Sequence, residues 1–144
     1  MILVSACLLG ENCKYNGGNN KNEAVLEYLE GKEYIAVCPE VFGGLETPRA
    51  PSEISGEKVI SKDGADVTKE FLCGAEITVG LAEKYAVAEA ILKESSPSCG
   101  SSTIYDGTHN GNKIKGMGIT AKMLIEMGIS VKSEKDIEIE LNKC

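Results

Sequence analysis

Ile2-Leu3-Val4-Ser5-Ala6-Cys7 is a short apolar run that ends on a cysteine. Its length and its lack of polar alternation predict a strand covered on both faces, as in a parallel sheet. The same design recurs twice. Tyr34-Ile35-Ala36-Val37 leads into Cys38-Pro39-Glu40, where Pro39 halts the strand because it has no N–H to pair. Ala88–Leu92 is a third strand and leads through Lys93-Glu94-Ser95-Ser96-Pro97-Ser98 to Cys99-Gly100.

The segments between these runs read as helices. Asn22 caps a helix over Glu23–Leu29, with Gly31 as its stop. Asp66 or Thr68 opens a long helix, roughly Val67 to Tyr85, with apolar residues at 67, 71, 72, 75, 79, 82 and 86. Gly118–Met127 predicts a helix, Ile129–Val131 a strand, and Glu134–Leu141 a terminal helix capped by Ser133. This alternation predicts an α/β fold: one compact Rossmann-like domain over 1–144, with a mostly parallel sheet and flanking helices. The remaining segments read as irregular. Cys7 to Asn20 is a Gly-containing loop, and Val41–Ser55 is rich in Gly and Pro and carries the chain's single arginine, Arg49. Gly56–Ser61 forms a short hairpin arm, and the polar Thr103–Lys115 stretch, rich in Gly, reads as a flexible flap over a site.

Composition narrows the function. A hydrophobic fraction of 42% and a charged fraction of 26% are ordinary for a water-soluble domain. A net charge of −7 argues against wrapping long nucleic acid and favours a small-molecule ligand. The apolar N-terminus lacks a basic flank and is too short to span a bilayer, which predicts no membrane segment and a cytoplasmic location. In that reducing compartment the six cysteines point to metal binding or catalysis rather than to disulfides. No C-x-x-C occurs, so a metal site has to be assembled from distant segments. No G-x-G-x-x-G or P-loop occurs either, which predicts no dinucleotide or triphosphate site.

Ligands of an open parallel sheet bind outside the carboxyl ends of its strands. Loops leaving three such ends can bring Cys7, Cys38 and Cys99 to one point. Three thiolates there repel unless a cation neutralises them, so a soft metal centre is expected. Three protein ligands also leave one coordination position open. A cuboidal iron–sulfur cluster and a three-thiolate zinc both meet that description. Cys13 lies near enough in the first loop either to pack or to accept excess sulfur; Cys73 reads as core, and Cys144 as a mobile terminus without function. His109, in Thr108-His109-Asn110-Gly111, reads as a solvent-exposed loop residue.

Three blocks carry a resemblance. They are Ser5-Ala6-Cys7-Leu8-Leu9-Gly10 with Cys13-Lys14-Tyr15-Asn16-Gly17, Cys38-Pro39-Glu40 with Gly43-Gly44-Leu45 and Thr47-Pro48-Arg49, and Ser96-Pro97-Ser98-Cys99-Gly100. In combination they resemble the thiouracil desulfidase family over essentially the whole chain. The resemblance implies a 4Fe-4S cluster on three cysteine ligands, Cys7, Cys38 and Cys99, with one open iron for the substrate's sulfur. It implies catalytic roles for Glu40 and Ser96, and removal of sulfur from a thiolated pyrimidine base or nucleotide to give the oxo base and sulfide. By residue type alone, Glu40 is equally a strand-end carboxylate, and Ser96 a turn residue ahead of Pro97. Arg49 and Ser98 are counted as substrate contacts, although Arg49 serves equally as a salt-bridge partner. Two other readings stay open: a non-enzymatic iron–sulfur or metal carrier, and a zinc-bound hydrolase or regulatory domain.

Overall fold

The computed structural model describes residues 1–142, so the expectation for Cys144 lies outside the described residues. The chain begins with β1 (Ile2–Ser5), a 3₁₀ turn (Ala6–Leu9), α1 (Glu23–Leu29) and β2 (Tyr34–Val37). There follow α2 (Pro39–Phe42), β3 (Ser52–Ser55), β4 (Lys58–Ser61), α3 (Thr68–Lys84) and β5 (Glu89–Leu92). The last third holds β6 (Thr103–Tyr105), β7 (Lys113–Lys115), α4 (Ile119–Glu126), β8 (Ser130–Ser133) and α5 (Glu134–Leu141).

The central sheet has the order β2-β1-β5-β8 with every pairing parallel. Burial on both faces explains the unbroken apolar runs. Leu3, Ala90 and Leu92 face a core shared with Ala82, Ala121 and Leu124 of α3 and α4. Ile2, Val4 and Ile91 face the opposite core, shared with Val25, Leu29 and Ile137 of α1 and α5. The chain winds outward from β1 to β2, then returns to place β5 on the other side of β1. A crevice opens at the carboxyl ends where the winding reverses.

Several local expectations need correction. β8 runs Ser130–Ser133 rather than 129–131. As a sheet edge it tolerates Lys132 and Ser133, which the apolar signal could not include. Pro39 does more than halt β2: it starts α2 at a first-turn position, where its missing N–H costs nothing. Cys73 is exposed and is not core. The buried face of α3 is Phe71, Gly74, Ala75, Thr78 and Ala82, which leaves Leu72 and Cys73 outside. Glycine rather than leucine selects that face. A Cβ at Gly74 would collide with the Pro39 carbonyl oxygen, and one at Gly43 with that of Glu70, so α2 packs on α3 backbone to backbone. Finally, 103–115 forms an antiparallel hairpin, β6–β7. Among the described residues no helix is long and apolar enough to cross a membrane.

Candidate active site

A cavity of about 350 Å³ lies over the carboxyl ends of the central strands, and Cys7, Cys38 and Cys99 all line it. Local structure aims each one. Cys7 sits in the 3₁₀ turn after β1, where its carbonyl accepts the Gly10 N–H (3.2 Å) and the Asn20 N–H (2.9 Å). Cys38 stands between β2 and α2 as the residue preceding the helix, and its Sγ lies 3.8 Å from the Cys13 carbonyl oxygen. Cys99 is buried in the loop after β5, and its N–H donates to Ser96 Oγ at 3.0 Å.

The thiols feel one another. Burial pushes the Cys7 thiol up; a hydrogen bond with Asn20 opposes this, and the charge of Cys38 adds to it. Burial pushes Cys99 up to about 12; Ser5 opposes, and the charges of Cys7, Cys38 and Glu40 add. A hydrogen bond with the Cys13 thiol lowers Cys38 to about 7, and the same bond raises Cys13. Three half-buried to buried thiols that share one cavity would repel one another as thiolates, so they are a donor set short of positive charge. An iron–sulfur cluster supplies that charge and prefers thiolate ligands, so the residues present fit one. Among the described residues, no three His, Cys, Asp or Glu side chains stand close enough to hold a single metal ion.

Glu40, in the first turn of α2, lines the same cavity. Burial pushes its carboxyl up, and Arg49 opposes that shift, donating from Nε to Glu40 Oε1 at 3.0 Å. The rest of the Arg49 guanidinium is spent on protein oxygens: Cys13 O at 2.9 Å, Glu46 O at 3.1 Å and Thr47 Oγ1 at 3.0 Å. Arg49 therefore orients Glu40 and the Cys13 loop, the salt-bridge alternative to a substrate contact. Ser96 Oγ accepts the N–H groups of Ser98 (3.1 Å) and Cys99 (3.0 Å), which frees its own proton for another acceptor. Ser98 does not line the cavity. It is buried, and its hydroxyl pairs with Thr120 Oγ1 at 2.8 Å, fastening the loop to α4, so the structure does not bring it into the cavity with the other expected site residues.

Sequence reasoning passed over Glu94. Its Oε1 accepts N–H groups from Ser95 (3.3 Å), Ser101 (3.1 Å), Ser102 (3.0 Å) and Thr103 (3.0 Å). The loop that carries Ser96 and Cys99 is thus coiled around one carboxylate. A second layer ties it down: Lys93 Nζ meets Glu134 Oε2 at 2.9 Å, and Glu134 Oε1 accepts the Glu94 N–H at 2.8 Å. The run of small Ser and Thr residues was the one available signal, since such backbone wraps an acceptor without steric cost. Burial opposes ionisation of Glu94, but those N–H groups outweigh it and hold its carboxyl below the usual range. Its contribution to stability is therefore complete above the ordinary carboxyl pKa of about 4.5 and fades as pH falls through the lowered folded value. Glu94→Ala should cost about 3 kcal/mol in urea unfolding near neutral pH, because four part-buried N–H groups lose their acceptor at once. The gap from wild type should shrink below about pH 4; a gap that does not change with pH would show that the carboxylate charge is not what holds the loop.

The model of the family described as 2-thiouracil desulfurase matches residues 2–136. A relative from Bacillus subtilis (strain 168), described as the uncharacterized protein YbbK, is 42% identical over 147 residues, spanning 95% of this chain and 97% of the relative. A solved structure described as the 4Fe-4S-dependent thiouracil desulfidase TudS is 44% identical and superposes with a TM-score of 0.89, covering 99% of this chain and 98% of that one.

Proposed function

Since the chain belongs to the 2-thiouracil desulfurase family, we propose that it is an iron–sulfur-dependent desulfidase that replaces the sulfur of a thiolated uracil with oxygen. The overall change consumes one water and releases sulfide: C=S and H₂O give C=O and H₂S. Cys7, Cys38 and Cys99 hold the cluster. When bound, the cluster supplies a Lewis-acidic iron with affinity for the departing sulfur.

The chain's own side chains supply the proton traffic. Glu40, fixed by Arg49, is the base that takes a proton from the attacking water, and afterwards it returns that proton to the departing group or the ring. Burial keeps its basicity above that of a free carboxylate, which suits it to take up a proton. Ser96 directs its free O–H at the substrate and steadies the Cys99 turn. The observation that carries this reading is the meeting of three strand-end thiols with Glu40 and Ser96 in one cavity. A carrier of clusters has no use for a buried carboxylate clamped by arginine beside its thiols, so the enzymatic reading stands ahead of the carrier. The free thiols at Cys7, Cys13, Cys38, Cys73 and Cys99 suit a reducing cytoplasm, where this reading places the enzyme.

Anaerobic reconstitution, iron and sulfide counting, and a panel of thiobases, nucleosides and nucleotides test the proposal. The expected result is about four irons and four sulfides per chain, with sulfide released from at least one panel member. A full cluster that passes to an acceptor protein with no turnover would favour the carrier; a protein that loads zinc and refuses iron would favour the zinc-bound hydrolase.

A further inference from the structure

The β6–β7 hairpin is too small to hold itself. Each strand has three residues, and an isolated two-stranded hairpin is marginal in water. Its base is tied down by the Thr103 N–H on Glu94 and by the buried Ile104, and its turn end is docked by Glu53 on β3. Glu53 Oε1 accepts the Gly107 N–H at 2.9 Å and the His109 N–H at 3.2 Å, while Oε2 lies 3.5 Å from His109 Nδ1. The Glu53 side chain is 11% exposed and that of His109 20%, so the histidine is clasped rather than presented to solvent, contrary to its reading as an exposed loop residue. The approach is close as well. A Cβ on Gly107, which has φ +93°, would stand 2.7 Å from the Ile54 carbonyl oxygen. His109 itself holds a left-handed φ of 59°, a conformation that persists only where its surroundings enforce it.

The docked hairpin turns one face to the site. Tyr105 and Lys113 are cross-strand partners, with the lysine ammonium 5.6 Å from the tyrosine ring, and both line the cavity that holds the cysteines. We propose that Glu53 is a positioning residue that fixes this hairpin as the roof of the cavity, so that the Tyr105 ring lies against the flat face of the bound base. The proposal rests on the desulfidase reading of the cavity. A ring held over a planar heterocycle contributes to binding by stacking and does so equally before and after the chemical step. Loss of the roof therefore appears in KM and leaves kcat nearly intact.

The test uses the reconstituted full chain with a thiouracil as substrate, and amide hydrogen exchange as a readout that needs no turnover. Glu53→Ala should speed exchange at Gly107 and His109 by about tenfold or more while the central-sheet amides stay slow. It should raise KM about tenfold with kcat within about threefold and cluster content unchanged. Tyr105→Ala should raise KM similarly, and the double variant should be little worse than either single one, because both remove the same contact. Glu53→Gln keeps an oxygen for the two N–H groups and should recover most of the loss. Gly107→Ala undocks the hairpin from its other side and should reproduce the rise in KM. Unchanged exchange at Gly107 and His109, or fully additive KM effects of Glu53→Ala and Tyr105→Ala, would overturn the proposal. So would cluster loss in Glu53→Ala beside a normal KM in Gly107→Ala. If the wild type turns over no thiobase, the desulfidase reading fails, while the exchange result still reports whether Glu53 docks the hairpin.

Discussion

Cys38→Ser protein, reconstituted without air, should show no full cluster and no release of sulfide from thiouracil. Serine keeps the size of cysteine but offers a hard oxygen that does not ionise near neutral pH, where iron–sulfur clusters need a thiolate. Of the three proposed ligands, Cys38 is the one whose neighbours draw its proton away, through the Cys13 thiol first and also through the Val41 N–H. Among the described residues, Cys13 is the further thiol placed to deputise, since its side chain is hydrogen-bonded to that of Cys38. Iron and sulfide counts are therefore made on Cys38→Ser, Cys13→Ser and the double variant together. The ligand assignment predicts a nearly full cluster in Cys13→Ser and none in either protein lacking Cys38. A full cluster in Cys38→Ser that vanishes in the double variant would mean that Cys13 can replace it; one that survives there would remove Cys38 from the ligand set.

Glu40→Gln should leave cluster content nearly unchanged and lower turnover by roughly 10²–10⁴-fold, the range for losing a general base. Glutamine matches the shape of glutamate, and its amide oxygen can still accept from Arg49 Nε, so the clamp with its 3.0 Å contact survives the substitution. Only basicity is removed. Cluster content and sulfide release are to be measured on the same anaerobic sample, because lost cluster imitates lost catalysis. Wild-type turnover with a full cluster would show that Glu40 is no catalyst. Ser96→Ala is a less selective probe, since it takes the acceptor from the Ser98 and Cys99 N–H groups along with the hydroxyl proton. Cluster loss and turnover loss are expected to arrive together there.

The α/β class was legible in the sequence, and so were the strand ends on which the proposed chemistry draws. Two-sided burial leaves unbroken apolar strands, and Cys7, Cys38 and Cys99 follow three of them directly or after one loop. Caps at Asn22 and Ser133 were equally legible, because capping is settled within three residues; the structure shows Asn22 accepting from Val25 and a full capping box at Ser133. Contacts between segments far apart in the chain were not legible in the sequence and came from the packing of the fold. Periodicity put Leu72 and Cys73 on the apolar side of α3, yet close backbone approach at Gly43 and Gly74 turned that helix another way. Arg49 had two plausible roles until Glu40 and the Cys13 carbonyl, 9 and 36 residues away in sequence, were in place. Ser98 sits in the middle of a diagnostic block and still points at Thr120. Glu94 and Glu53 look like ordinary surface acids in a list of residues, and each becomes an organising group only when a distant or coiled stretch of backbone brings its N–H groups to the carboxylate. Local propensity is written in neighbouring residues; which hydrogen-bond donor meets which acceptor across the fold is settled by packing, because buried N–H groups and carboxylates must find partners wherever the chain has put them.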